Sequence, residues 1–118
     1  MAESGLFIGW GDSYPGKAIA SLEVFEEAVT YWESLRAAGE IESVETVLLG
    51  YHGGDLSGFT LLRGDSEKLG RLRMTPEFQR ITWRASACLA NIGVVPAVID
   101  AGITDTLTGY REAIADLD

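Results

Sequence analysis

Among the side chains able to do chemistry, this chain of 118 residues holds one histidine, one cysteine and a scatter of aromatic rings. His52 is the group that changes charge near neutral pH without special help, and it stands in the segment Tyr51-His52-Gly53-Gly54-Asp55. Beside two turn glycines it reads as a solvated turn residue, as an acid–base group at a cavity mouth, or as a metal or haem ligand. A metal site asks for several ligands at set spacings. With one His and one Cys in the whole chain, no such cluster forms, so neither a metal nor a cofactor is expected. His52 is therefore the candidate catalytic residue. Trp10, Tyr51 and Phe59 are the candidate substrate-binding residues, because aromatic rings with a few polar groups make an apolar pocket, although core packing accounts equally well for most aromatics.

Three other patterns are weaker. Gly11-Asp12-Ser13-Tyr14-Pro15-Gly16-Lys17 spells G-x-x-x-x-G-K, but Ala18 follows where a phosphate loop places Ser or Thr for magnesium,. A glycine-rich turn explains it. Ser13, Ser57 and Ser86 have no nucleophile-elbow context,. Cys88 lies in an apolar helical pattern with no partner thiol, which is the setting of an inert buried cysteine in a reduced, cytoplasmic protein.

The elements that must position these residues follow from periodicity. Gly5 to Trp10 is a short apolar run bounded by glycines, the mark of a buried strand. From Ala18 to Ala38 the spacing of Leu22, Phe25, Val29 and Trp32, joined by Ala28 and Leu35, draws one apolar stripe on a helix that Gly39 ends,. Ile41 to Tyr51 and Leu56 to Arg63 are strands folded back on each other at Gly53-Gly54. Asp65 or Ser66 caps a short helical piece carrying Leu69 and Leu72. Thr75-Pro76-Glu77 opens a helix running to Leu89: cap, proline at the first position, acid in the first turn. Ile92 to Asp100 is the fourth strand, and Pro96, lacking an amide donor, belongs at a sheet edge or a bulge; the element order places this strand at an edge. Ile103, Leu107, Tyr110 and Ile114 mark a C-terminal helix over about residues 103–117.

The composition fits one globular domain over residues 1–118: hydrophobic residues make 47% of the chain and charged residues 23%,. A net charge of -9 repels phosphate backbones and anionic bilayers, so neither nucleic acid nor membrane is an expected partner,. Six of the nine bases lie between Arg63 and Arg84 while acids dominate Ser21 to Glu45, as two neighbouring helices of opposite sign would require.

The order β-α-β-β-α-β plus a terminal helix is the split βαβ, or ferredoxin-like, α+β arrangement: an antiparallel four-stranded sheet with the first and third strands central. Two helices cover one face of such a sheet. Yet Leu6-Phe7-Ile8, Val47-Leu48-Leu49, Leu61-Leu62 and Val94-Val95 are apolar on both faces, so the second face needs either the C-terminal helix or a second copy. In the strand Leu6-Phe7-Ile8-Gly9-Trp10, the hairpin Ile41 to Arg63, the lead-in Leu72-Arg73-Met74-Thr75-Pro76-Glu77-Phe78 and the strand Val94 to Ile99, the chain resembles the dimeric α+β barrel superfamily over about residues 4–100. That resemblance implies a homodimer paired through the sheets into a barrel, and an open barrel interior would be lined by Trp10, Tyr51, His52 and Phe59. The superfamily includes cofactor-independent monooxygenases of the antibiotic-biosynthesis type, lactone isomerases, haem-degrading enzymes and members with no known activity.

The expectation is thus a homodimer that binds a small apolar or aromatic molecule, with no reaction assigned. Two alternatives stand beside it: a cofactor-independent monooxygenase or isomerase using His52, and an interaction module whose barrel is filled.

Overall fold

A computed structural model describes residues 3–117. The elements run β1 (Ser4–Trp10), α1 (Ala18–Ala37), β2 (Ser43–Leu48), β3 (Gly58–Gly64), α2 (Ser66–Leu72), α3 (Pro76–Cys88), β4 (Gly93–Val98) and α4 (Ala101–Ile114). The four strands form one antiparallel sheet in the order β2-β3-β1-β4, so β1 and β3 are central. This is the ferredoxin-like arrangement. Pro96 pairs opposite Leu6 on β4 and lies on an edge, where its missing N–H interrupts no ladder,.

Local chemistry sets the helix starts. The Asp65 carboxylate accepts a hydrogen bond from the Lys68 amide at the head of α2, and Thr75 Oγ1 accepts one from the Phe78 amide at the head of α3,. Gly39 takes φ 77° just beyond α1, a left-handed conformation that a side chain would oppose,.

Strand alternation then divides the residues between two faces. Leu6, Ile8, Val44, Thr60, Leu62 and Val94 turn toward the helices, where Leu6, Leu62, Trp32, Ile41, Leu69, Leu72, Phe78 and Ile81 form the buried core. Leu62 and Leu6 are 0% and 1% exposed, and full burial of one such side chain stabilises the fold by about 1.5–3 kcal/mol. Phe7, Phe59, Leu61, Val47, Val95 and Ala97 turn the other way. Only one corner of that outer face carries charge, an ion pair in which Arg63 Nη1 meets Glu45 Oε1 at 2.9 Å.

Helix α4 does not cover the outer face. Its packing partner is the edge strand β4, where Gly102 sits so tightly that a Cβ would lie 2.6 Å from the Glu3 carbonyl oxygen. Ile103, Leu107 and Tyr110 are 46%, 58% and 63% exposed. The radius of gyration, 16.2 Å, exceeds the roughly 13.5 Å of a compact chain this long, as a projecting helix requires.

Two sequence expectations shift. Strand β2 stops at Leu48 and not at Tyr51, so the tight turn at Gly53-Gly54 becomes a loop over residues 49–57. The reason is local: the His52 ring folds into the loop and closes it. On α1 the buried line is Val24, Ala28, Trp32 and Leu35, whereas Leu22 and Val29 are exposed, because the helix is rotated on the sheet to bury Trp32 against Phe78.

Candidate functional site

The sheet and helices α1 and α3 do not close completely on each other. Between them lies a cavity of about 200 Å³. Its sheet side is Ile8, Trp10, Leu48 and Thr60; α1 contributes Ser21, Leu22, Val24, Phe25, Ala28 and Trp32; Ile81, Thr82 and Ala85 of α3 close it with Leu89 and Ile92. Leu22 and Leu48, 58% and 69% exposed, mark the side open to solvent.

The cavity exists because large and small residues face each other at this end of the sheet. Trp10, the last residue of β1, lies against Gly58 of β3, where a Cβ would come within 2.8 Å of Trp10 Cζ2. Phe25 meets Trp10 edge-on with ring centroids 6.1 Å apart. Ala28 on α1 and Ala85 on α3 are too short to fill what remains.

One carboxylate also bridges the two helices. Glu27 of α1 receives Arg80 Nη1 at 2.8 Å and Arg84 Nη2 at 2.9 Å from α3. These hydrogen bonds, from Arg84 first and then Arg80, hold the Glu27 carboxyl below its ordinary value of 4.5,. A group whose folded pKa is depressed gives stability that is complete above the unfolded value and is lost as pH falls through the folded one. Glu27→Gln should therefore flatten the fall in melting temperature between pH 5 and pH 3 relative to the parent chain, as read by thermal denaturation across that range. An equally steep fall in the variant would remove Glu27 from the acid response.

The candidate residues from the sequence do not converge. Trp10 lines the cavity. Phe59, next but one to it across the strands, faces outward and stacks on Phe7 with centroids 5.1 Å apart. Tyr51 projects fully into solvent from the loop, at 105% relative exposure. His52 is exposed in that loop, and both its ring nitrogens are engaged there. Nδ1 accepts the Gly54 N–H at 3.2 Å, which leaves Nε2 to donate to the Leu56 carbonyl oxygen at 2.7 Å,. Gly54 has to be glycine for this, since a Cβ would lie 2.7 Å from His52 Cε1. The histidine thus ties its own loop together.

The glycine-rich loop ahead of α1 is committed as well. The amides of Gly11 and Tyr14 donate to Ala90 and Cys88, and that of Lys17 to Tyr14, so none of the three is left to face a phosphate. Ala28 and Ala85 belong to apolar helix faces that periodicity shows, but that they and Thr60 border an opening appears only when the elements face each other. Cys88 is buried and free. Among the described residues, no group of three or more His, Cys, Asp or Glu is placed to hold a metal ion, and no helix is long and apolar enough to cross a membrane.

Comparison with known proteins adds the fold. No family model matches the chain, and no curated protein matches it in sequence. Solved structures do. A dimeric ferredoxin-like protein of unknown function from Jannaschia superposes with a TM-score of 0.63 at 13% identity, over 81% of this chain and 99% of that one. A DABB family protein with a ferredoxin-like fold from Mesorhizobium loti gives 0.62 at 11% identity, over 83% and 98%. SnoaB, a cofactor-independent oxygenase from Streptomyces nogalater, gives 0.53 at 15% identity, over 85% and 94%. At such identities the likeness is one of architecture, and no specific reaction follows from it. The chain has the ferredoxin-like α+β fold of the small proteins on which it superposes.

Proposed function

We propose that this protein is a homodimer that binds a small apolar or aromatic molecule in the cavity between sheet and helices. One observation carries the binding half: an apolar cavity of about 200 Å³ opens beside the hydrophobic core. Apolar cavities of roughly 150 Å³ take up benzene, so this one has room for one or two fused rings. The dimer half rests on the uncovered apolar face of the sheet, which a second copy would bury, and it accords with the dimeric state of the Jannaschia protein. In the reduced, cytoplasmic setting this reading assumes, the buried Cys88 thiol stays free,.

The test fills the cavity from within. Ala85→Leu adds three carbons to a half-buried position on α3 that lines it. Binding of 1-aminonaphthalene, followed by its emission gain in apolar surroundings, should weaken at least tenfold. The variant should also melt a few degrees higher, since filling a cavity commonly adds about 0.5–2 kcal/mol. Unchanged binding in Ala85→Leu would place the ligand elsewhere.

A further inference from the structure

The lining of the cavity restricts what it can hold more sharply than its volume does. Every one of its side chains is uncharged, and three carry hydroxyls: Ser21, Thr60 and Thr82. Two of these protons are already used. Ser21 Oγ donates to the Ala18 carbonyl oxygen at 2.7 Å and Thr82 Oγ1 to the Phe78 carbonyl oxygen at 3.0 Å, each within its own helix.

Thr60 differs. It is the buried polar residue of the sheet, 2% exposed, and its Oγ1 lies 3.0 Å from Thr46 Oγ1 on the neighbouring strand. Two hydroxyls that share one hydrogen bond use one of their two protons. When Thr46 donates, the Thr60 proton is left for an acceptor in the cavity; when Thr60 donates, its oxygen still has a lone pair for a donor there. Thr46 is exposed, so water completes its bonding in either arrangement.

The geometry points to Thr60 as the polar anchor of the site, and to a ligand that is a neutral ring compound bearing one hydroxyl or carbonyl group. This rests on the cavity being the binding site, as proposed above, and narrows the chemistry. A carboxylate or ammonium ligand would lose its hydration with no counter-charge in the lining to replace it. A plain hydrocarbon would fit but would leave Thr60 unused.

Equilibrium dialysis of the full chain against naphthalene, 1-naphthol and 1-naphthoate separates the possibilities. The parent should bind 1-naphthol about five- to tenfold more tightly than naphthalene, the contribution of one buried hydrogen bond, and 1-naphthoate at least tenfold more weakly than 1-naphthol. Thr60→Val, which keeps the shape and removes the hydroxyl, should erase the naphthol preference and leave naphthalene unchanged; Thr60→Ser should restore the preference. Equal binding of naphthol and naphthalene by the parent, a preference that survives Thr60→Val, or binding of naphthoate as tight as that of naphthol would overturn the anchor while leaving the cavity as a site. Failure of all three probes to bind would instead overturn the cavity reading, and the anchor with it.

Discussion

Leu61→Glu should sediment as a monomer at concentrations where the parent chain is expected to sediment as a dimer. Leu61 lies on the outer face of the central strand β3, paired with Phe7 of β1 and Glu45 of β2. Around it are the stacked Phe7 and Phe59 rings, with Val47, Val95 and Ala97 on the flanking strands. An interface of ordinary size buries about 800 Å² on each partner, an area that the outer face of a four-stranded sheet can supply. In a two-fold contact any substitution enters twice. Two carboxylates would then be buried in the contact, each directly opposite Glu45, whose Arg63 partner is already engaged, at a cost of several kcal/mol apiece,. A loss of about 4 kcal/mol already raises the dissociation constant roughly a thousandfold. Leu62, the next residue, belongs to the helix-side core, so circular dichroism of the Leu61 variant should show an intact fold. A Leu61→Glu variant that remains dimeric would move the interface off the sheet, and a monomeric parent would remove the dimer altogether.

Gly58→Ala should destabilise the protein and weaken ligand binding together. The added methyl would stand 2.8 Å from Trp10 Cζ2 on one side and 2.9 Å from the Val47 carbonyl oxygen on the other. Backbone cannot yield as a flexible side chain can, so either the edge strand β2 moves or Trp10 leaves its place. Overpacking of this kind costs about 1–3 kcal/mol, which corresponds to a melting temperature lower by roughly 5–15 °C. Because Trp10 lines the cavity, affinity for 1-aminonaphthalene should fall at least tenfold. Gly70→Ala makes the same chemical change within α2, where nothing lies within 4 Å, and should stabilise by about 0.5–1 kcal/mol. Were both substitutions neutral in calorimetry and titration, the close packing of Trp10 on Gly58 would have no energetic weight.

The residues that announced the fold did so because their signals are local. Thr75-Pro76-Glu77 starts a helix by chemistry contained in three residues, and Pro96 excludes itself from a central strand for want of one proton,. The double-sided apolar strands Leu6-Phe7-Ile8 and Leu61-Leu62 likewise report a second apolar face of the sheet, since strand alternation assigns each residue its side,. The loop at His52 differs from the tight turn its sequence suggests for the opposite reason. Whether Gly53-Gly54 closes a two-residue turn depends on where the His52 ring goes, and that depends on the Leu56 carbonyl four residues on.

What the amino-acid sequence determined by itself is the element order, the central and edge strands, and the presence of an outer sheet face too apolar for water. Each follows from periodicity or from one residue's backbone chemistry, which neighbours in space do not alter. Only the tertiary structure decided where the cavity is. A cavity is a difference between the separation of packed elements and the size of the side chains between them. That difference appears only when Ala28 and Ala85 on two helices are set opposite Trp10 and Thr60 on two strands. The same packing sent Phe59 to the outer face of the sheet, left His52 in its loop and set Trp10 in the lining of the cavity.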